Sequence, residues 1–324
     1  MVLQSRKDRL EACEERGGFS LAREPGNGLV REYWRLDKEL QMKVTFIGLG
    51  MMGKPMAVNH ANAGTDLTVV NRSQGKVLEL VGMGAKRGGS AAEASGEADV
   101  VCLCLSGEET VEEVLIDVLT TARPGTIVVD HSTIHPEVAK RLAVMCAKHD
   151  VVYLDAPVSG TGKVAWDGQL TIMVGGDREA FDKVKPALTP VSKAAYLVGP
   201  VGSGNTTKLL NNMIGDINQI AIMETFALAS KLGLDVGVLL EVLQSASANS
   251  RQLERIGPKI VTRDFQQTSK LAGHLTNQEH TRWLADQAGL DLPLRNVAEA
   301  FWRRGVTAGY GEGDPVRSIE LLEG

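Results

Sequence analysis

From Val44 onward the chain alternates short apolar runs with amphipathic stretches. The runs at 44–48, 66–70, 99–103, 126–130, 151–155 and 171–174 are rich in β-branched residues and bounded by Gly, Pro or Asp, which predicts strands. Between most of them lie stretches with helical spacing, including 54–63 and 137–148. Alternation of this kind predicts an α/β fold with a doubly wound, mostly parallel sheet covered by helices on both faces. The pattern changes after Gly199-Pro200. Over 205–232 the apolar positions Leu209, Leu210, Met213, Ile214, Ile217, Ile220 and Ala221 keep helical spacing, and Asn205, Lys208, Asn212, Asp216 and Gln219 line the opposite face. A helix of that length spans about 40 Å, enough to run between two domains. Beyond it the chain reads as more helix to the carboxyl end, with no convincing strand. The expected division is therefore a sheet domain at 42–200 and an all-α carboxyl-terminal domain at 201–324, joined by the long helix.

Residues 1–41 break the pattern. Eight basic and eight acidic side chains fall there, and the apolar positions keep no sustained period. Met42-Lys43-Val44 then opens the first strand as an ordinary amino terminus would. The segment reads as an appended extension; the alternative is a helical arm docking through Tyr33, Trp34 and Leu36. It carries no functional assignment.

Composition narrows the classes. At 324 residues, 43% hydrophobic and 23% charged, the chain suits two domains with a substantial core. A formal net charge of −5 with no long basic stripe argues against nucleic acid as a partner. No stretch reaches the roughly 18 uninterrupted apolar residues that predict a membrane span, and the charged start lacks the apolar centre of a signal peptide. Cys13, Cys102, Cys104 and Cys146 show neither a CxxC nor metal-ligand spacing, and Cys102 and Cys104 alternate with apolar residues as small core side chains do. The expectations are a reduced, cytoplasmic compartment, no metal, and a small molecule as partner.

The first chemical motif is Gly48-Leu49-Gly50-Met51-Met52-Gly53, a G-x-G-x-x-G run that follows a predicted strand and opens a predicted helix. In that context the first Gly permits a tight turn and the second admits a pyrophosphate close to the backbone. The third lets helix and strand pack closely, while the helix amino terminus faces the anion. This predicts a Rossmann-type dinucleotide site. The second strand runs into Asn71-Arg72-Ser73, where an NAD-selective site would usually carry a carboxylate for the ribose 2′-hydroxyl. Arg72 can instead hold a 2′-phosphate, so NADP is the preferred cofactor, with NAD possible.

Two further segments are Asp155-Ala156-Pro157-Val158-Ser159-Gly160-Thr161, continuing to Ala165, Gly168 and Leu170, and Gly202-Ser203-Gly204 with Lys208 and Asn212. Together with the Gly-rich loop and Asp130-His131-Ser132-Thr133, they resemble the β-hydroxyacid dehydrogenase family, the relatives of 3-hydroxyisobutyrate and 6-phosphogluconate dehydrogenases. The resemblance runs from about Lys43 to the end and includes Gly309-Tyr310-Gly311-Glu312-Gly313-Asp314, which looks like the family's Gly-rich acidic tail. It implies that Ser159, Gly160 and the backbone at Thr161 hold a substrate carboxylate, that Lys208 is the general acid/base, and that Asn212 bonds the substrate beside it. Leu105, Ser106 and Thr133 would border the nicotinamide. His131 also sits near that end, but the family motif uses no His for proton transfer, so packing or polar lining is its expected role.

The residues agree independently of the family: i and i+4 share a helix face, so Lys208 and Asn212 present together. A Ser-Gly turn offers a hydroxyl and free backbone N–H groups to a carboxylate. Two departures stand out. Thr161 occupies a position that is commonly Gly in the family, and Thr276-Asn277 falls where the family usually has Lys-Asp. The implied activity is hydride exchange between NADP(H) and a small β-hydroxy acid or its semialdehyde, of the 3-hydroxyisobutyrate, tartronate semialdehyde, succinic semialdehyde or glyoxylate type. The alternatives are a different carbonyl or an imine as substrate, or a cofactor-binding regulatory protein without turnover. A homodimer or homotetramer is expected through the carboxyl-terminal helices, where Leu239, Leu240, Val242 and Leu243 offer apolar surface.

Overall fold

The structure, a computed structural model, describes residues 42–160 and 162–324. The expectations for residues 1–41 and for Thr161 lie outside the described residues. Strands β1 (Lys43–Ile47), β2 (Asp66–Val70), β3 (Lys86–Arg87), β4 (Val100–Leu103), β5 (Ile127–Asp130) and β6 (Val152–Asp155) lie in the order β3-β2-β1-β4-β5-β6. Every neighbouring pair among them is parallel. Beyond β6 the sheet continues with β7 (Val158–Ser159), β8 (Leu170–Gly175) and β9 (Ser192–Gly199). Strand β8 runs antiparallel to β6 and β7, and β9 is parallel to β8. This is a Rossmann-type sheet, in which ligands bind outside the carboxyl ends of the strands.

Strand alternation builds the two faces. Phe46 and Cys102 turn to one core with Met56 and Leu67, while Ile47 and Leu103 turn to the other with Val111 and Leu142. After β9 the described chain is helical and closes a third core around Phe226, Ile256, Leu271 and Trp302. The predicted strands recur within a residue or two of their expected ends, whereas β3, β7 and β9 are not signalled by the apolar pattern. Strand β9 spreads partial burial over both faces, so its sequence shows no clean alternation.

The helix Ser203–Lys231 is about 44 Å long, as expected, but its faces are arranged differently. Asn205, Asp216 and Gln219, which line the polar face in the sequence, are buried. Leu210 and Ile214, which belong to the apolar face in the sequence, are 44% and 59% exposed. The reason is that the polar side chains find partners inside: the Ile134 N–H for Asn205, His274 and Gln278 for Asp216, and Arg255 for Gln219. A second correction concerns Leu239, Leu240 and Leu243, which pack onto the helical core and leave only Val242 of that group outward.

Candidate active site

The Gly-rich loop joins β1 to the helix Gly53–Asn62. Gly48 adopts φ +98°, and a Cβ there would stand 2.4 Å from the Cys104 carbonyl oxygen. A Cβ on Gly53 would stand 1.9 Å from the Gly48 carbonyl oxygen. Both glycines are thus demanded by the fold. At Gly50 the same Cβ would meet nothing within 4 Å. The helix carries no side-chain cap at Met52; the Lys54 N–H turns back to the Gly50 carbonyl at 3.1 Å and Pro55 has none, so among the described residues the N–H groups of Gly50 to Gly53 are the ones left unpaired. Room and donors together fit a bound phosphate. Asn71 accepts from the Leu49 N–H at 2.9 Å, which ties the loop to the end of β2. Arg72 and Ser73 stand exposed, and Arg72 makes no ion pair among the described residues.

At the ends of β4 and β5, Leu105 donates its N–H to Ser132 Oγ at 3.0 Å, and Asp130 accepts from the Ser132 N–H and the Tyr153 hydroxyl. These bonds fix the segments carrying Leu105, Ser106 and Thr133. Burial pushes the Asp130 carboxyl up to about 6. His131 is buried below them, stacked near Phe46, with Nδ1 bonded to the Ala156 carbonyl. Burial pulls its pKa down to about 4, so it is neutral at pH 7.

Asp155, at the end of β6, has a role that the sequence pattern does not signal. Its carboxylate accepts from the Gly202 N–H at 2.8 Å and the Asn205 N–H at 2.7 Å, capping the long helix from the sheet. Asn205 in turn accepts from the Ile134 N–H at 2.9 Å. The clamp is so close that a Cβ on Gly204 would lie 2.6 Å from the Asp155 carbonyl oxygen. It brings the first turn of the long helix to the carboxyl ends of β5 and β6, near where the chain leaves for Ser159 and Gly160. Gly160 adopts φ +126°, and Val164 and Leu170 crowd the place of a Cβ. Lys208 follows one turn into the helix, with Asn212 on the next. Lys208 is half-buried, and among the described residues nothing bonds its amine. Burial pulls its pKa down to about 8, opposed by a weaker pull from the Asp216 carboxylate.

Two family models cover this architecture: the NAD-binding domain of 6-phosphogluconate dehydrogenase matches residues 43–199, and the NAD-binding domain of NADP-dependent 3-hydroxyisobutyrate dehydrogenase matches 202–322. The chain is 31% identical to 2-(hydroxymethyl)glutarate dehydrogenase of Eubacterium barkeri over 88% of its own length and 96% of that protein. The chain belongs to the β-hydroxyacid dehydrogenase family. A second relative of this β-hydroxyacid dehydrogenase, 2-hydroxy-3-oxopropionate reductase of Escherichia coli, is 35% identical over 87% of the chain and 97% of the relative. The structure of 3-hydroxyisobutyrate dehydrogenase from Mycobacterium tuberculosis with L-serine superposes with a TM-score of 0.79 at 31% identity, covering 88% of this chain and all of that one. Each relative carries the name of a dehydrogenase or reductase, and a purely regulatory role finds no support.

The dehydrogenase keeps its acidic tail for a structural purpose. Asp314 accepts from Lys259 Nζ, the Thr268 N–H and the Thr268 hydroxyl, all within 2.9 Å. Burial pushes Asp314 up, but these donors outweigh it and hold the carboxyl below its usual range. The Gly311 and Gly313 carbonyls accept from Ala272 and Leu271, pinning the start of the helix Leu271–Ala288. On that helix Thr276 is exposed and bonds back to the Ala272 carbonyl, so no charge stands at that position. Among the described residues no group of His, Cys, Asp and Glu could hold a metal, and no helix is long and apolar enough to cross a membrane.

Proposed function

We propose that this dehydrogenase interconverts a small β-hydroxy acid and its semialdehyde with NADP(H) as preferred cofactor and Lys208 as the group that moves the proton. The observation that carries the reading is the Lys208 amine: half-buried, without a partner among the described residues, and held by burial at about 8. An amine poised there can give or take a proton near neutral pH, which an ordinary lysine at about 10.4 does poorly. When bound, the nicotinamide supplies or accepts the hydride. The chain's part is to hold and protonate: Ser159, Gly160 and Thr161 take the substrate carboxylate, Asn212 orients the reacting oxygen, and Lys208 Nζ exchanges its proton. Leu105, Ser106 and Thr133 border the nicotinamide, and Gly48 to Gly53 cradle the pyrophosphate. The relatives' names support substrates of the 3-hydroxyisobutyrate, tartronate semialdehyde, succinic semialdehyde or glyoxylate type.

Cofactor preference is argued from Asn71-Arg72-Ser73. Asn71 is engaged with the loop, while the exposed Arg72 is free to pair with a 2′-phosphate and Ser73 stands beside it. A reduced, cytoplasmic setting is supported by the free thiols of Cys102, Cys104 and Cys146, each raised by burial to about 12. A homodimer or homotetramer is supported by the exposed side chains Leu210, Ile214, Leu228 and Leu232, which form one stripe along the long helix.

Replacing Lys208 tests the reading. Lys208→Arg keeps the charge but cannot release a proton near neutral pH, so kcat with the best semialdehyde should fall by about 10²–10⁴-fold. NADPH binding, measured by fluorescence, should stay within a few-fold. Near-normal turnover would make Lys208 an electrostatic anchor and overturn the assignment.

A further inference from the structure

Two turns beyond Lys208 on the same helix, Asp216 is almost wholly buried. Its two oxygens are held from the facing helix Leu271–Ala288: Oδ1 lies 2.6 Å from His274 Nδ1, and Oδ2 accepts from Gln278 Nε2 at 2.7 Å. His274 Nε2 lies 3.0 Å from Ser269 Oγ. With Asp216 ionised, His274 donates through Nδ1 and accepts from Ser269 through Nε2, so both ring nitrogens are satisfied. Among the described residues no side chain within bonding distance carries a permanent positive charge for Asp216, which is unusual for a buried carboxylate. Its field therefore acts on the cations further off, Lys208 and, from the helix Arg251–Thr262, Arg255.

We propose that Asp216 is a positioning residue for the proton-transfer amine: its buried carboxylate, two turns along the same helix and fixed by His274 and Gln278, keeps Lys208 in the ammonium form that reduction consumes. The inference rests on the reading of Lys208 as the proton-transfer group. In reduction the carbonyl carbon gains a hydride from the cofactor, a Lys208 N–H bond breaks, and an O–H bond forms on the former carbonyl oxygen. The amine must therefore start charged. Burial drives it the other way, and Asp216 is the counterweight, leaving the amine at about 8. Other charged groups on the elements packed against this helix have partners of their own: His280 lies 3.6 Å from Glu108, and Arg282 and Arg303 pair with Glu299. Asp155 is bound to the helix start, Asp314 pairs with Lys259, and Arg295 pairs with Glu299. Arg255 faces Asp216 from its own helix and bonds Gln219 and Gln252.

The test is the pH profile of kcat/KM for NADPH-dependent reduction of whichever semialdehyde turns over best. Activity should fall on the alkaline side as Lys208 loses its proton. Asp216→Asn should move that limb down by about one pH unit, the size of a charge interaction across roughly 10 Å at a partly buried site. Asp216→Glu should return it towards the wild-type position. A limb that stays in place, with activity lowered equally at every pH, would show a merely structural link and overturn the proposal. Lys208→Arg, run in parallel, separates the two readings. If it is inactive while the Asp216→Asn limb is unmoved, only the present inference fails; if it turns over with a wild-type limb, the role of Lys208 fails and this inference with it. Should Asp216→Asn not fold, the combined Asp216→Leu, His274→Leu and Gln278→Leu variant removes the charge with both of its buried partners and leaves only the half-buried Ser269 hydroxyl without its bond. The same downward move is required of it.

Discussion

Arg72 is the residue on which the proposed preference for NADP turns. Its side chain is exposed after β2 and free of ion pairs among the described residues, so its removal leaves no buried group unpaired. Charge-assisted bonds to a phosphate contribute about 1.5–3 kcal/mol, so Arg72→Ala should weaken NADPH by roughly ten- to a hundredfold. NADH has no 2′-phosphate and should be nearly unaffected. Equal losses for both, by fluorescence titration, would remove Arg72 from the cofactor site. The proposed role of this residue is read from the sequence alone because its signal is local: a missing carboxylate at a known distance from a Gly-rich loop. The proposed role of Lys208 is read the same way, from a motif on one helix. Asp216 shows in the sequence only as a polar position, because its meaning lies in His274, which is 58 residues away along the chain.

Among elements, the long helix shows where a sequence is informative and where it stops. Helical spacing locates it and sets its length, since period is a property of the segment alone. Which face points inward depends on what the rest of the chain offers, and Asp155, Arg255 and His274 offer partners to the polar side. Asp155 itself stands in the sequence only as the first residue of a motif, because a carboxylate ending a strand reads as an ordinary turn residue. Its weight can be measured. Asp155→Ala leaves the Gly202 and Asn205 N–H groups without their acceptor in a buried seam, a loss of about 2–5 kcal/mol. Calorimetry should show Tm falling by several degrees or more, and turnover should fall with it, because the turn that carries Lys208 loosens. Asp155→Asn keeps an acceptor oxygen and should lose less. An unchanged Tm in Asp155→Ala would mean that the helix start is held elsewhere.

For the whole molecule, the exposed stripe on the long helix is what the proposed assembly rests on. Leu210, Ile214, Leu228 and Leu232 are 44%, 59%, 61% and 67% exposed, so charges placed there disturb little within one protomer. Wild-type protein should scatter light as a dimer or larger at micromolar concentration, and Ile214→Glu combined with Leu228→Glu should scatter as a folded monomer. A wild-type monomer would overturn the proposed assembly. The seam between sheet and helices has a consequence for how such a chain can be inherited. The two matched regions end at residue 199 and begin again at 202, a place where genes could be cut and recombined. Yet Asp155 lies before that point, and the Gly202 and Asn205 donors that satisfy it lie after it. A recombinant taking its second half from an unrelated source would strand a buried carboxylate in one parent and bare a helix start in the other. The two halves are therefore expected to descend together, as one heritable unit.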